Sequence, residues 1–390
     1  MNKKVINLMF LLPSLNSGGV ERFVVKLSNY LVQHDFQIYI LTSEAKMKNL
    51  LHNKIHLIYT NINSKNVFKI ILNSIKVKYF CAKYKIDILY PQSRVQTWCC
   101  SFARLNKNIK LITIFHGMYS CNTFLKFLYS KIMLSGNIVI SVSEFITNYI
   151  LLNYKIKNIL PNNNIVLSNN NKKKLITIIN GVNIEKFSPY NITKGRIIEA
   201  AKKIDISDES KKILLFPGRI SEIKGQMFLL ETLKMMKKRD FVCVILGDIE
   251  KKAKLTKEIF NKIGEYQLED CVKVINDIQD IQPIYLLSHV VLSLSNQPEA
   301  FGLIPVEAAA MARPSIVTNI GGFKHTVIHK KTGWVVESGN SEQLIEAIEE
   351  ALSVSSEKWK EMGLCARDFV TKNFSTEKSL EYHKDILLSL

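Results

Sequence analysis

Short, mostly apolar runs recur along this 390-residue chain, and the segments between them place apolar residues at helical spacing. In the first half the runs are Val5–Leu12, Gln37–Thr42, Ile55–Tyr59, Ile86–Tyr90, Leu111–Phe115, Ile138–Ser141 and Leu175–Ile179. In the second they are Ile213–Phe216, Phe241–Leu246, Val272–Ile275, Val290–Leu294, Ser315–Thr318 and Gly333–Val336. Such runs suit strands covered by helices on both faces, so the alternation argues for parallel α/β architecture. After Gly19, the residues Phe23, Val24, Leu27 and Leu31 share one face of a helix. Ser143 fits the N-cap of another, and Arg196–Lys203 and Thr376–Leu388 read as further helices.

A chain of this length, 47% hydrophobic, exceeds one ordinary core and suits two domains. Periodicity weakens after Phe187-Ser188-Pro189 and returns at Ile213, so the change of domain falls between about 187 and 211. This reading gives an N-terminal domain at 1–190, a C-terminal domain at 191–372, and a last helix, 373–390, packing back toward the first domain. PNNNIVLSNNNKKK, residues 161–174, reads as a solvated loop. The opening MNKKVINLMFLLPSL mimics a secretory signal, but Asn7 and Pro13 interrupt it and no small-residue cleavage site follows. It reads instead as the first buried strand. No apolar run approaches the ~20 residues that span a bilayer.

The net charge of +19 is unevenly placed. Residues 1–200 hold 27 Lys+Arg against 7 Asp+Glu, and residues 201–390 hold 26 against 27. A lysine-rich genome accounts for many lysines but not for this asymmetry, which points to an acidic partner of the first half. An anionic membrane surface fits this charge. Nucleic acid does not, because the basic half lacks interleaved aromatics or a recognition motif. The seven cysteines are odd in number and form no C-x-x-C, so neither a disulfide framework nor a zinc site is expected, and a reducing cytoplasm fits.

Ligands of open α/β sheets sit beyond the carboxyl ends of the strands, and here four such ends stand out. Gly18-Gly19 ahead of a helix exposes backbone N–H groups and a positive dipole end, which suits an anion or an ordinary turn. His116-Gly117 at the tip of a strand suits a hydrogen bond to a sugar hydroxyl or a structural loop. Gly218-Arg219, with Lys224 five residues later, offers two cations for a diphosphate, or a solvated basic turn. The fourth is PEAFGLIPVEAAA, residues 298–310. Pro305 fits the first turn of a helix, which puts Glu307 near its third position, where a glutamate can cap its own helix. That role leaves Glu299 unexplained. An anion at the helix end, with a carboxylate on each side accepting hydroxyls, has the shape of a nucleoside diphosphate sugar.

Glu299-x7-Glu307 with Phe301-Gly302, then Pro314 and Gly321-Gly322, resembles the signature of glycosyltransferase family 4, whose members are retaining enzymes of the GT-B fold. Phe216-Pro217-Gly218-Arg219 with Lys224-Gly225-Gln226 looks like the family's diphosphate loop. Ile179-Asn180-Gly181-Val182-Asn183 with Phe187-Ser188-Pro189 is similar to its inter-domain strand end and linker. His116-Gly117 and Gly18-Gly19 match its acceptor-domain loops, and the tract from Ser93-Arg94 to Tyr119 looks like members that build bacterial lipopolysaccharide core. The resemblance implies an α/β fold of two Rossmann-like parallel-sheet domains facing a central cleft. It implies Glu307 on the ribose, and Glu299 with the N–H groups of Phe301, Gly302 and Leu303 on the donor sugar. Arg219 and Lys224 would lie on the diphosphate beside Gly218, with His116 on the sugar and Gly18-Gly19 near the phosphates. Asn183 and His325 depart from the family pattern, which often has acidic residues there, and both read as structural.

The activity implied is retaining transfer from a UDP-, GDP- or ADP-sugar to a hydroxyl of a glycolipid or polysaccharide. No cofactor or metal is expected, since the family is metal-independent and the chain lacks the D-x-D pair that would hold a divalent ion. The setting would be cytoplasmic, at the inner face of the cell membrane. A nucleotide-sugar 2-epimerase of the same architecture and a non-catalytic nucleotide-sugar-binding protein are the rival readings.

Overall fold

The computed structural model describes residues 5–16, 18–104, 108–156, 165–168, 173–205, 210–276 and 278–390. Its contacts divide the chain into two compact units, Met1–Ile179 with Leu380–Leu390, and Asn180–Ser379.

The first unit runs β1 (Ile6–Leu11), α1 (Gly19–Leu31), β2 (Phe36–Thr42), β3 (His56–Tyr59), α2 (Val67–Lys83), β4 (Ile88–Pro91) and α3 (Arg94–Ala103). It continues through β5 (Lys110–Phe115), α4 (Phe124–Lys131), β6 (Ile138–Ser141), α5 (Glu144–Asn153), β7 (Ile165–Ser168) and β8 (Lys173–Thr177). Among the described residues the sheet order is β3-β2-β1-β4-β5-β6-β8-β7, parallel except that β7 is antiparallel to β8. Met9, Leu11, Leu41, Leu89 and Leu111 are buried in its core with Ile70 and Val77 of α2 and Cys99 of α3.

The second unit begins with α6 (Lys194–Lys203), β9 (Lys212–Pro217), α7 (Gln226–Met235), β10 (Phe241–Leu246), α8 (Ala253–Glu265) and β11 (Val272–Ile275). There follow α9 (Gln282–Leu287), β12 (Val290–Ser293), α10 (Leu303–Ala310), β13 (Ser315–Thr318), β14 (Gly333–Val336), α11 (Ser341–Ser353) and α12 (Ser356–Asn373). The last helix, α13 (Thr376–Leu388), starts in this unit and ends in the first. The second sheet is ordered β11-β10-β9-β12-β13-β14 and is parallel throughout. Phe216, Leu229, Phe241, Ile245, Leu292, Trp334 and Ile348 fill its core.

Among the described parallel strands, each sheet reverses its strand order once, between β1 and β4 in the first unit and between β9 and β12 in the second. Loops leaving neighbouring strands there run to opposite faces and leave a crevice between them. The candidate residues follow these strands. Gly18 and Gly19 come after β1, Gly218 to Lys224 after β9, and Glu299 after β12.

Several features differ from the sequence reading. The contacts divide the chain after Ile179, ahead of the 190/191 boundary drawn from periodicity, because the Phe187-Ser188-Pro189 segment packs in the second unit. There Arg367 Nη1 donates to the Phe187 carbonyl at 3.0 Å. Residues 165–168 of the expected loop form β7, since Ile165-Val166-Leu167 supplies a short apolar run among the asparagines. The rest of 161–174, apart from 173 and 174 at the start of β8, lies outside the described residues. Helix α10 starts at Leu303, which makes Pro305 its third residue and Glu307 its fifth. Glu307 therefore sits too deep in the helix to cap it.

Candidate active site

The loop after β9 is fastened at both ends. The Gly218 N–H donates to the Leu246 carbonyl at 2.9 Å, and Gln226 Nε2 donates to the Arg219 carbonyl at 3.0 Å. The Arg219 side chain is exposed. Lys224 turns inward instead, and its ammonium lies 2.6 Å from Glu299 Oε1. The Ser295 hydroxyl donates to the same oxygen. Among the described residues the second oxygen of Glu299 accepts no hydrogen bond, which leaves it for a ligand. Sequence reasoning grouped Lys224 with Arg219; the structure groups it with Glu299.

Glu299 is held from the backbone as well. Its carbonyl accepts the Gly322 N–H at 2.7 Å. Gly321, at φ 61°, passes so close that an added Cβ would lie 2.5 Å from the Glu299 backbone N and O. Only glycine tolerates that approach together with that φ. Asn296 joins this loop to the one after β9, its N–H donating to the Ile223 carbonyl at 3.0 Å and its Nδ2 to the Glu222 carbonyl at 3.0 Å.

Gly302 forms the N-cap of α10 at φ 98°, and no side chain caps that helix. Phe301 is buried with its ring 5.4 Å from that of Phe374, whereas Leu303 is exposed. The first N–H groups of α10 have no partner within the helix and carry its positive dipole end, a suitable seat for phosphate oxygens. One turn further on, Glu307 Oε2 accepts the Tyr285 hydroxyl at 2.9 Å. Tyr285 is fully buried on α9, and burial, then the Glu307 charge, pushes its phenol well above the ordinary range. It stays protonated and orients the carboxylate. Ser295 and Tyr285 were not singled out from the sequence. Ser295 lies just past β12, a position that draws notice, but nothing in the sequence pairs Tyr285 with a residue 22 positions away.

In the first unit Gly18 is the N-cap of α1 and Gly19 its first residue, both exposed. Glu21 Oε2 lies 2.5 Å from where a Cβ on Gly18 would stand. An anion at this helix end would meet that carboxylate. His116 follows β5, with Nε2 2.9 Å from Gln92 Oε1, and Gln92 Nε2 donates to the Tyr90 carbonyl at 3.0 Å. This chain of bonds orients His116 with its proton on Nε2, leaving Nδ1 as an acceptor. Burial, then the nearby His383, lowers the His116 pKa to about 3, so the ring is neutral. Phe23 packs against both imidazoles, its centroid 5.6 Å from His116 and 5.2 Å from His383.

Asn183 Oδ1 accepts the Lys186 N–H at 2.6 Å and closes the turn before Phe187, a role aspartate fills equally well. His325 is exposed on a short turn after Gly321-Gly322.

Two Rossmann-like units with anion-suited loops at their switch points, and paired carboxylates along one helix start, define the class of GT-B glycosyltransferases. The model of glycosyl transferases group 1 matches residues 197–368, and that of Glycosyltransferase Family 4 matches residues 17–162. A crystal structure of a glycosyltransferase from Rickettsia africae is 32% identical, covers 99% of this chain and 98% of its own, and has a TM-score of 0.88. The chain belongs to this family of glycosyltransferases, with the GT-B fold. Anabaena HepE, solved with UDP and glucose, is 18% identical with a TM-score of 0.80, covering 99% of this chain and all of its own. The N-acetyl-alpha-D-glucosaminyl L-malate synthase of Bacillus anthracis is 23% identical over 387 residues, 96% of this chain and 94% of its own.

Proposed function

We propose that this glycosyltransferase moves a sugar from a nucleoside diphosphate sugar to a hydroxyl of a glycolipid or polysaccharide acceptor, retaining the anomeric configuration and using no metal. The observation that carries the donor reading is the arrangement of Glu299 and Glu307. Glu299 is held through Oε1 by Lys224 and Ser295, and Glu307 accepts the Tyr285 hydroxyl at Oε2, on either side of the uncapped start of α10. Carboxylates fixed in this way accept hydroxyls, while the helix end between them accepts phosphate. Glu307 would hold the ribose, and the second oxygen of Glu299 the donor sugar. The complex of Anabaena HepE with UDP and glucose supports a donor of this class.

As the glycosidic bond breaks, negative charge grows on the departing diphosphate. Arg219, the remaining N–H groups of Lys224 and the α10 N-terminus would stabilise it beside Gly218, the largest electrostatic contribution in such a site. His116, neutral with Nδ1 as acceptor, would take a hydrogen bond from a sugar hydroxyl. The tract Ser93-Arg94 to Tyr119 favours an acceptor of the lipopolysaccharide core or another cell-envelope glycan, made at the cytoplasmic side of the membrane. An epimerase of the same fold would turn over the donor with no acceptor present.

The test is thermal unfolding with UDP, GDP, ADP or CMP, followed by NMR of the product anomer formed from the matching donor sugar. One nucleotide at 100 times its dissociation constant should stabilise the wild type by about 2.7 kcal/mol and leave Glu307→Ala unmoved. Stabilisation by none of them, an inverted product, or an epimerised free sugar would each overturn the corresponding part of the proposal.

A further inference from the structure

Helix α2 is apolar on two sides. Its inward face buries two polar side chains, Asn73 and Ser74, beside Ile70, Val77 and Cys81. The Ser74 hydroxyl is satisfied within the helix, donating to the Ile70 carbonyl at 2.7 Å. The opposite face carries Phe68, Ile71, Leu72, Ile75 and Tyr79, spaced i, i+3, i+4, i+7 and i+11, all exposed. Phe68 is 78% and Leu72 59% accessible, so this ridge is not the rim of a core. At 100° per residue the five residues form one stripe along a helix about 25 Å long. Lys69, Lys76 and Lys83, seven residues apart, line one side of the stripe, and Lys78 stands on the other.

The neighbouring surface has the same character. Helix α3 lies beside α2, and Trp98 of α3 stacks on Tyr129 of α4 with centroids 6.3 Å apart. Helix α4 in turn exposes Phe124 and Leu125 beside Lys126. From residue 45 to residue 143 the sequence has a single acidic residue, Asp87, and that carboxylate accepts the Asn7 N–H at 3.0 Å.

We infer that the outward face of α2 lies in the interface of an anionic bilayer, its apolar ridge among the acyl-chain ends and its lysines among the headgroups. A second copy of the chain is a poor occupant. A symmetric contact through this ridge would set the lysine rows of two acid-free surfaces against each other. A bilayer supplies apolar depth and negative charge together, and lysines beside an apolar stripe bury their stems and raise their ammonium groups to the headgroups. Among the described residues no helix is long and apolar enough to cross a membrane, so this contact is peripheral. The inference does not depend on the transferase reading, because binding of this kind needs neither donor nor acceptor.

The test is cosedimentation of the full chain with sucrose-loaded vesicles of phosphatidylcholine, with and without phosphatidylglycerol, over a range of salt. The wild type should sediment with the phosphatidylglycerol vesicles and keep part of that binding at high salt. A Leu72→Asp, Ile75→Asp variant should lose about tenfold or more in partitioning. Lys69→Glu, Lys76→Glu should lose the preference for phosphatidylglycerol. All these positions are exposed, so melting temperature and nucleotide stabilisation should match the wild type. No vesicle binding by the wild type, equal partitioning of the Asp variant, or complete release by salt would overturn the inference. A concentration-dependent dimer abolished by the Asp variant would overturn it too and identify a second copy as the occupant.

Discussion

The Lys224 ammonium lies 2.6 Å from the Glu299 carboxylate, with the two side chains only 12% and 22% exposed. The cation comes from the loop after β9 and the anion from the loop after β12, strands that are neighbours at the switch point of the second sheet. The pair therefore sets the position of a carboxylate in the crevice and also supports the fold around it.

This gives Lys224 and Arg219 separable behaviour. Replacing Lys224 by alanine leaves a largely buried carboxylate with Ser295 as its remaining anchor, which should cost about 1–3 kcal/mol of stability as well as activity. Arg219 is exposed, so Arg219→Ala should lower kcat by about 10²–10³ while leaving urea unfolding close to wild type. Wild-type turnover in folded Arg219→Ala would remove the diphosphate clamp from the proposal.

Tyr285→Phe tests whether Glu307 needs its orienting partner. The variant keeps the buried ring and loses only the 2.9 Å bond to Glu307 Oε2. Freed from that bond, the carboxylate should bind nucleotide about tenfold more weakly, corresponding to about 1.4 kcal/mol. Titration calorimetry with the nucleotide selected by thermal unfolding reads this directly. Unchanged affinity would mean that Glu307 is positioned by other contacts.

Substitutions at Gly302, the N-cap of α10, and at Gly321, after β13, should be disruptive. A Cβ on Gly302 would lie 2.4 Å from the Phe323 ring, at a φ of 98°. The backbone strain alone should cost Gly302→Ala about 1–2 kcal/mol, and displacement of the ring adds to it. Gly321→Ala should have a larger effect on activity, because its Cβ would press on the Glu299 backbone. Urea unfolding and kcat measured on both variants would separate these effects, and a fully active Gly321→Ala would contradict the account.

Stability should decline on mild acidification. Burial lowers the pKa of His116 to about 3, and burial with Lys212 and Arg313 lowers that of His289 to about 4. An unfolded histidine titrates near 6.5. The unfolded chain therefore binds protons that the native state refuses. The associated stability is complete above pH ~6.5 and falls below it, by at most about 1.4 kcal/mol per pH unit for each ring. His116→Gln should remove one ring's share between about pH 6.5 and 5 in urea titrations. Parallel declines in variant and wild type would show that His116 is not held neutral.

Much of this architecture was legible in the chain. Ile138–Ser141, Phe241–Leu246, Val272–Ile275, Ser315–Thr318, Gly333–Val336 and the helix Thr376–Leu388 have the bounds read from periodicity. Strands buried on both faces leave an uninterrupted apolar record, and helices packed on them leave a 3.6-residue one. The short antiparallel β7 was not legible, because its apolar run is too brief to stand out from the surrounding asparagines and lysines.

The sequence by itself determined two parallel α/β units, the basic character of the first, and the positions of Glu299, Glu307, Arg219 and Lys224 in strand-end loops or at a helix start. Which of these side chains meet was decided only by the tertiary structure. Strand order brings the loops after β9 and β12 together although they are 75 residues apart at Lys224 and Glu299. Glycine at φ 98° starts α10 two residues ahead of Pro305 and moves Glu307 out of the capping turn to meet Tyr285. The outward face of α2 was hidden for a similar reason. A helix with apolar residues on two sides does not reveal in sequence which side the sheet will cover. Here the packing of Ile70, Val77 and Cys81 settles it, leaving the stripe from Phe68 to Tyr79 in solvent.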